Sequence, residues 1–196
     1  MRYVSKEYLD DAKKALDRGD ILAIPTDTSY SLAVKSDNVS AIRKLLDLSS
    51  RQLNGNKIFT LMVADVDDIK KYAILSRKKL NMARHYFPGE LTLILPKRQS
   101  FKNPYFDNFE TVGIRIPNHQ YTLSLLRNSG PLLVVSAQPQ ESAPCYTSKE
   151  VVSKLPKIDT VVEGRSDGNL PPTVIDWTEE EPEPIRQGGL LIVRYS

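Results

Sequence analysis

Short hydroxyl and carboxylate side chains follow an apolar run near the N-terminus. Residues 21–25 have the sequence Ile-Leu-Ala-Ile-Pro, which predicts a buried strand. Directly after it come Thr26, Asp27, Thr28 and Ser29. α/β proteins often place ligand contacts at such a strand end, and hydroxyls hold a polar ligand such as an amino acid without adding charge. The same residue types also form hydrogen-bonded turns, so the sequence leaves a binding site and a turn as alternatives.

Arg115 lies inside a regular strand pattern. Alternation over residues 111–117 places it on one face with Thr111 and Gly113. A cation on such a strand needs solvent, a carboxylate partner or an anionic ligand, because burying it unpaired is costly. An ion pair and a ligand site are therefore both open interpretations.

Two further cations, Arg51 and Lys57, flank a polar loop between a predicted helix and a predicted strand. Such a pair suits a triphosphate or a carboxylate, and a solvated loop is the alternative. Neither GxxxxGK[ST] nor GxGxxG occurs, which excludes the P-loop and the usual dinucleotide-binding motif.

Ser136 and Gln138 follow the apolar run 132–135, where a hydroxyl and an amide would face a nucleotide. Neither has a neighbouring general base, and no GxSxG motif occurs. Cys145 also lacks an adjacent base and is expected to be buried and inert. One cysteine and two histidines exclude an internal disulfide and argue against a zinc enzyme.

The elements that must position these residues interleave along the chain. Helical spacing predicts helices over residues 6–18, 39–49, 65–72, 76–87, 120–128 and 147–155. Apolar runs predict strands over residues 21–25, 30–34, 58–63, 91–95, 111–116, 132–135, 160–162, 173–177 and 190–193. Residues 96–110 are expected to form a loop, and residues 179–184 an acidic turn. We predict one α/β domain over residues 1–196, with a twisted mixed sheet and flanking helices.

The composition is that of a globular protein, with 196 residues, 40 % hydrophobic and 26 % charged. No apolar run spans 18 residues and the N-terminus lacks a signal-peptide core, so we expect a cytoplasmic protein without a membrane partner. The net charge is +3, yet Arg43 to Lys102 carry thirteen Lys or Arg against five Asp or Glu, a balance of +8. Such a segment is typical of a phosphate-bearing partner such as RNA, or of solvated helix faces. No exposed apolar stripe predicts an obligate interface, so we expect a monomer.

Taken in order, these motifs resemble the YrdC-like family of threonylcarbamoyl-adenylate synthases, over about residues 5–190. The resemblance is carried by residues 25–30, 51, 88–92, 111–117, 136–137, 171–176 and 185–188. Arg51-Gln52-Leu53 followed by Phe-Thr-Leu-Met is most similar to the YciO branch. The resemblance implies a twisted α/β fold with a large concave, basic cavity and a capacity to bind double-stranded RNA. It also implies that L-threonine, bicarbonate and ATP are joined into threonylcarbamoyl-adenylate, with release of pyrophosphate, for tRNA modification.

The resemblance further implies roles for single residues. Threonine would contact Thr28, Arg115 and Ser136. ATP would contact Arg51, Thr111, Gln138 and Arg186. Additional candidates are Thr26, Tyr30, Lys57 and Thr173. Mg²⁺ would accompany ATP, and no protein side chain is assigned as a metal ligand.

The chain also departs from the family pattern. Ser49-Ser50-Arg51-Gln52 replaces Lys-x-Arg-Pro, so the lysine is absent. Residues 136–141 read Ser-Ala-Gln-Pro-Gln-Glu in place of Ser-Ala-Asn-x-Ser-Gly, and Pro172 replaces the serine of Ser-Thr-Val. Each lost charge-assisted phosphate contact costs roughly 1.5–3 kcal/mol. We therefore expect a weakened synthase; the alternative is an RNA- or nucleotide-binding protein of the same fold without efficient synthesis.

Overall fold

The secondary structure is known from a computed structural model, which describes residues 1–53 and 59–191. The strands are β1 (Arg2–Val4), β2 (Leu22–Ile24), β3 (Ser31–Lys35), β4 (Thr60–Met62), β5 (Leu91–Pro96), β6 (Thr111–Arg115), β7 (Leu132–Ser136), β8 (Thr160–Val162), β9 (Thr173–Asp176) and β10 (Glu183–Arg186). The helices are α1 (Leu9–Asp17), α2 (Val39–Gln52), α3 (Ile69–Tyr72), α4 (Arg77–Tyr86), α5 (Gln120–Ser129) and α6 (Ser148–Lys154). Short 3₁₀ turns cover Val66–Asp68 and Phe106–Asn108.

Within these two ranges, the ten strands form one mixed sheet in the order β1-β8-β2-β3-β7-β4-β6-β5-β9-β10. The predicted mixed sheet with flanking helices is confirmed. No helix of the described ranges combines the length and the apolar character needed to cross a membrane.

Apolar side chains are buried on both faces of the sheet. One core joins α1 and α5 to the sheet through Leu16, Leu125 and Leu132. The second core contains Val112 and Ile114 of β6 together with side chains of α2 and α4. Because side chains alternate along a strand, Thr111, Gly113 and Arg115 point away from this second core, as the sequence pattern predicts.

The sequence-based prediction fails at both edges of the sheet. β1 was not predicted, because it is three residues long and only Val4 is buried; it pairs in parallel with β8. The predicted strand over residues 190–193 is wrong at Leu190 and Leu191, which form no strand, and residues 192–193 lie outside the described ranges. The last described strand is instead β10, antiparallel to β9. Its residues are largely exposed, so no apolar run marks it.

A buried asparagine organises residues 96–110, which the sequence indicates only as a loop. The side-chain amide of Asn103 donates to the Ser36 carbonyl over 2.6 Å. Its Oδ1 accepts from the backbone N–H groups of Tyr105 and Phe106 at 3.0 and 3.2 Å. The first bond fastens the segment to the turn after β3, and the other two fix the backbone of the aromatic residues that follow.

Candidate functional site

The segment between β2 and β3 is a buried turn held by its own hydroxyl groups. Thr26 Oγ1 donates to the Ser29 carbonyl over 2.7 Å and accepts from the Thr28 N–H at 3.1 Å. The backbone of Thr26 is held from outside by Ser166 Oγ and by the N–H of Asp167. The turn interpretation of this segment is therefore confirmed, and it leaves the side chains of Asp27 and Thr28 turned toward β6.

Gly168 closes over this turn. A Cβ atom at position 168 would lie 2.4 Å from the Asp27 carbonyl oxygen and 2.7 Å from Thr28 Cα. Both distances are far below van der Waals contact, so only glycine lets the two backbone segments approach this closely. The turn is thus clamped between the segment after β8 and Arg115.

Arg115 forms a buried ion pair with Asp27. Its Nη2 lies 2.5 Å from Asp27 Oδ1 and donates to Thr28 Oγ1 over 2.9 Å. The residues are only 4 % and 6 % exposed. Arg115 Nε and Asp27 Oδ2 are also buried, and neither has a hydrogen-bond partner among the described residues. Unpartnered buried polar atoms are rare and costly, so this donor and this acceptor mark a place where a ligand would be stabilised.

Glu90 and Arg186 add one negative and one positive group to this pair. Burial raises the pKa of the Glu90 carboxyl, the Asp27 carboxylate adds to that effect, and Arg115 opposes it. Burial and the charge of Arg115 lower the pKa of the Arg186 guanidinium, which donates from Nε and Nη2 to the Pro172 carbonyl. Arg115 therefore interacts electrostatically with each of the other three groups, and the four charges sum to zero.

Two residues predicted to contact threonine or ATP, Ser136 and Thr111, make no side-chain hydrogen bond to a described residue. Ser136 ends β7 opposite Ser31 of β3 and is partly exposed. Its hydroxyl makes no hydrogen bond to a described residue. Thr111 is partly exposed at the start of β6.

Gln138 is half-buried, and its side-chain amide donates to the Ser142 carbonyl over 3.2 Å.

Two other candidates have hydroxyl groups engaged by the protein. The Tyr30 hydroxyl is in the core and donates to the Val162 carbonyl over 2.9 Å, and burial raises its pKa. Thr173 Oγ1 donates to the Leu190 carbonyl and accepts from the Gly188 N–H, at 2.8 and 2.9 Å. Thr173 therefore holds the C-terminal segment against β9.

The structure does not bring Arg51 to this group. Its side chain is 69 % exposed and pairs with Asp47, one turn earlier on α2, over 2.8 Å. Ser49, at the position of the family lysine, is buried and donates to the Leu46 carbonyl. The predicted partner cation Lys57 lies outside the described residues.

An aromatic pocket adjoins Thr111 and was not predicted from the sequence. This cavity of about 170 Å³ is lined by Phe59, Ile94, Tyr105, Phe106, Phe109, Thr111 and Gly113. The Tyr105 ring lies 5.0 Å from the Phe59 ring and 5.2 Å from the Phe109 ring, between centroids. Thr111 and Arg115 share one strand face four residues apart, so the pocket and the ion pair are separated by about 13 Å along β6.

His119 acts on the turn through Thr122, and the sequence did not predict it as a site residue. Its Nδ1 accepts from the Thr122 N–H at 3.4 Å, capping α5. Thr122 Oγ1 in turn donates to the Pro25 carbonyl over 2.6 Å, at the start of the turn. Burial lowers the pKa of His119, against the opposing effect of Asp167. Histidine is not a preferred N-cap residue, so no local signal marked it.

The remaining observations concern Cys145 and possible metal ligands. Cys145 is buried, as predicted, and burial raises the pKa of its thiol to about 11. Within the two described ranges, no three His, Cys, Asp or Glu side chains are grouped so that they could hold a metal ion.

Comparison with known proteins identifies the family. The sequence profile of the Sua5/YciO/YrdC family, described as "Telomere recombination", matches residues 14–188. The chain belongs to this family. The uncharacterized protein YciO of Escherichia coli K12 is 27 % identical over 184 residues, covering 92 % of this chain and 88 % of YciO. A protein of Buchnera aphidicola named threonylcarbamoyl-AMP synthase is 30 % identical over 166 residues, covering 82 % of this chain and 93 % of its own length.

Solved structures agree with this assignment. The crystal structure of P. abyssi Sua5 complexed with L-threonine superposes with a TM-score of 0.84 and 25 % identity, and covers 96 % of this chain. The present chain spans 57 % of that Sua5 chain. The crystal structure of E. coli YciO has the same fold, with a TM-score of 0.84 at 24 % identity over 95 % of this chain and 94 % of that one.

Replacing Arg115 by alanine is expected to destabilise the fold by about 3–5 kcal/mol, because it leaves the Asp27 carboxylate buried without its partner. The free energy of unfolding in urea measures the effect. The exposed Arg127→Ala is the control, with an expected change within about 0.5 kcal/mol. Adding Asp27→Ala to Arg115→Ala should recover part of the loss, and strictly additive costs of the two substitutions would contradict a coupled pair.

Glu90→Gln is expected to raise the melting temperature at pH 7. The folded-state pKa of Glu90 is raised above the ordinary 4.5, so the folded protein holds this proton more tightly than the unfolded chain does. Stability is therefore lost as pH rises from the ordinary pKa through the raised one, and glutamine removes that loss.

The increase in melting temperature that Glu90→Gln gives over wild type should become smaller as the pH falls below 4.5. The exposed Glu110→Gln is the control for a change of net charge alone. A gain of equal size for both variants, or one that does not depend on pH, would contradict the electrostatic cause.

Proposed function

We propose that this chain is an ATP-dependent L-threonylcarbamoyladenylate synthase with reduced efficiency, linked to tRNA threonylcarbamoyladenosine modification. The observation that carries the proposal is the buried Arg115–Asp27 pair, in which one donor and one acceptor have no partner in the described part of the chain. The names of several relatives, threonylcarbamoyl-AMP synthase, and the Sua5 structure with L-threonine support it.

The ion pair fits a zwitterionic amino acid. A carboxylate would accept from Arg115 Nε, and an α-ammonium group would donate to Asp27 Oδ2, because these two atoms have no partner among the residues that the structure describes. Thr28 Oγ1, already bonded to Arg115, and Ser136 would complete the polar contacts. Arginine suits a carboxylate because its planar fork can donate twice.

The aromatic pocket fits the base of ATP. Aromatic side chains stack on nucleobases, which contributes about 1–3 kcal/mol per base. The pocket lies about 13 Å from Arg115 along β6, and in an extended adenylate the ribose and the α-phosphate occupy the space between base and acyl group. Thr111 borders the pocket, which agrees with its predicted contact to ATP.

The proposed reaction has two bond-forming steps. The amino nitrogen of threonine attacks the carbon of bicarbonate, and loss of water gives the carbamate. A carbamate oxygen then attacks the α-phosphorus of ATP, and the bond to the β-phosphate oxygen breaks with release of pyrophosphate. Such an in-line displacement depends on positioning and charge neutralisation rather than on a protein nucleophile. Arg115 holds the amino acid, and Arg186 contributes positive charge beside it.

Mg²⁺ belongs to this proposal as the companion of ATP, where it would neutralise phosphate charge. Among the described residues, the charged group at Arg115 contains two carboxylates, those of Asp27 and Glu90, so most of the ligands of a metal would have to be phosphate oxygens. Mg²⁺ is commonly held in this way. We assign no side chain to it.

The reduced efficiency is attributed to positions 49 and 51, which are expected to lie at the phosphates of ATP. Arg51 is paired with Asp47 on an exposed helix face, and Ser49 supplies no charge where the family has lysine. Each missing charge-assisted contact weakens binding by about ten- to a hundred-fold. Binding of the triphosphate is therefore expected to limit turnover.

Purified protein with ATP, bicarbonate, Mg²⁺ and L-threonine is expected to release pyrophosphate. Arg115→Lys keeps the buried charge but loses the fork and the Nε donor, so it should raise KM for threonine at least about ten-fold. The exposed Arg127→Lys is the matched control and should leave both KM and kcat unchanged. Release that does not require threonine, or that Arg115→Lys leaves intact, would contradict the proposal; dependence on another amino acid would assign a different substrate.

Phe109→Ala is expected to raise KM for ATP by about ten-fold, because an aromatic stacking surface for the base is lost, while KM for threonine stays constant. The Phe109 side chain is 45 % exposed, so the change spares the core. Tyr8→Ala removes a different exposed aromatic residue and serves as the control. If both variants change KM for ATP equally, or neither does, the base lies elsewhere.

A further inference from the structure

The backbone of Glu90, directly before β5, is held by the two strands on either side of β5. The Glu90 carbonyl accepts from the Thr173 N–H of β9 at 2.9 Å. On the other side, the Gly89 N–H donates over 2.9 Å to the carbonyl of Ile116, which follows β6. The start of the Glu90 side chain is thereby fixed relative to both strands.

The Glu90 side chain lies on the same face of the sheet as Arg115. β5 and β6 run antiparallel with Leu93 opposite Ile114, so the next pair of residues places Thr92 opposite Arg115. Glu90 precedes Thr92 by two residues and shares its face, because side chains alternate along a strand. It is thus a diagonal neighbour of Arg115, about 7–8 Å away between Cα atoms.

The charged groups of the candidate site act on the Glu90 carboxyl. Burial raises the pKa of Glu90, the Asp27 carboxylate raises it further, and Arg115 lowers it. The C-terminal segment borders the same carboxyl, because a Cβ atom at position 189 would overlap Glu90 Oε2. The carboxyl is therefore close both to the ion pair and to the backbone of Gly189.

The Glu90 carboxylate has no donor within the described part of the chain. The residue is partly buried, and its carboxylate oxygens accept no hydrogen bond and form no ion pair with a described residue. An ionised carboxylate can only accept, and a partly buried one without donors is unfavourable. A ligand at this place is therefore bound most strongly when it supplies a hydrogen-bond donor.

An amino acid placed at the ion pair carries its further donors on the side chain. In the proposed function, Arg115 Nε takes the carboxylate and Asp27 Oδ2 takes the α-ammonium group. The side chain leaves the same Cα atom as these two groups, so a hydroxyl on Cβ is the next donor along the ligand. Threonine and serine carry such a hydroxyl, whereas valine has the shape of threonine without the donor.

We propose, on the basis of the proposed function, that Glu90 is a specificity-determining residue of the amino-acid site. Its carboxylate accepts a hydrogen bond from the side-chain hydroxyl and so selects β-hydroxy amino acids. A hydrogen bond to a charged acceptor changes affinity by at least about ten-fold. Shape cannot supply this selectivity, because a pocket separates isosteres that differ by one hydroxyl strongly only where it hydrogen-bonds that group.

The test compares the Kd values of L-threonine and L-valine, measured by isothermal titration calorimetry. Wild type should bind threonine at least about ten-fold more tightly than valine. Glu90→Leu should abolish most of this preference, because it weakens threonine binding without weakening valine binding to the same extent. Glu90→Gln keeps a neutral acceptor and should retain an intermediate preference. The exposed Glu110→Gln is the control for a lost negative charge and should keep the wild-type ratio.

The ratio of the two Kd values is the readout, because a role of Glu90 in folding alone would change both affinities alike. L-allo-threonine, which has the opposite configuration at Cβ, should bind wild type more weakly than L-threonine and lose that difference in Glu90→Leu. Equal affinities of wild type for threonine and valine, binding of neither, or a ratio that Glu90→Leu leaves unchanged would overturn the inference.

Threonine-dependent pyrophosphate release, measured on the same wild-type preparation, decides the proposed function separately. Selectivity that depends on Glu90 without any release would count against synthesis and leave the inference about Glu90 standing. Release by wild type together with an unchanged Kd ratio in Glu90→Leu would support synthesis and overturn the role of Glu90.

Discussion

The buried Arg115–Asp27 ion pair is the interaction on which the candidate site depends. It joins the turn after β2 to β6 across 88 residues of sequence. Among the described residues, the turn is also contacted by Ser166, Asp167 and Gly168, and at its start by Thr122. A buried pair of this kind contributes little net stability against an apolar alternative, yet breaking it on one side is strongly unfavourable. It therefore fixes the position of the turn more than it strengthens the fold.

The same ion pair holds the turn in place and supplies the atoms proposed to bind the ligand. Arg115 uses Nη2 for Asp27 and Thr28, and this leaves Nε for a carboxylate without any need to break the pair. Burial raises the pKa of Glu90, and the nearby Asp27 carboxylate adds to that effect, so the site holds two carboxylates near each other. A ligand that brings an ammonium group would relieve that repulsion, which favours an amino acid over a simple carboxylic acid.

The sequence predicted individual strand faces well and contacts between distant segments poorly. Alternation over residues 111–117 correctly placed Thr111, Gly113 and Arg115 on one face, because the period of two is a local property. The sequence could not show whether Arg115 pairs with a carboxylate of the protein or with a ligand, because both satisfy the same local pattern. The aromatic pocket was missed because it depends on Asn103, whose bond to the Ser36 carbonyl crosses 67 residues. β10 was missed because an exposed edge strand buries too little to leave an apolar run.

The departures from the family pattern divide the site into two halves. At position 141 the chain carries glutamate in place of the family glycine, and the backbone there has a φ of 55°, a conformation that disfavours side chains with a Cβ. The exposed end of the loop that follows Ser136 therefore carries a negative charge. Ser49 and Arg51 likewise keep α2 helical through the altered motif but supply no free cation on this side. The half proposed to bind the amino acid retains Thr28, Arg115 and Ser136 unchanged in type. Under the proposed function, slow turnover should therefore be traced to the affinity for the triphosphate rather than to recognition of the amino acid. Added pyrophosphate should then inhibit this chain only weakly, because among the described residues Ser49 carries no charge and Arg51 is already paired with Asp47.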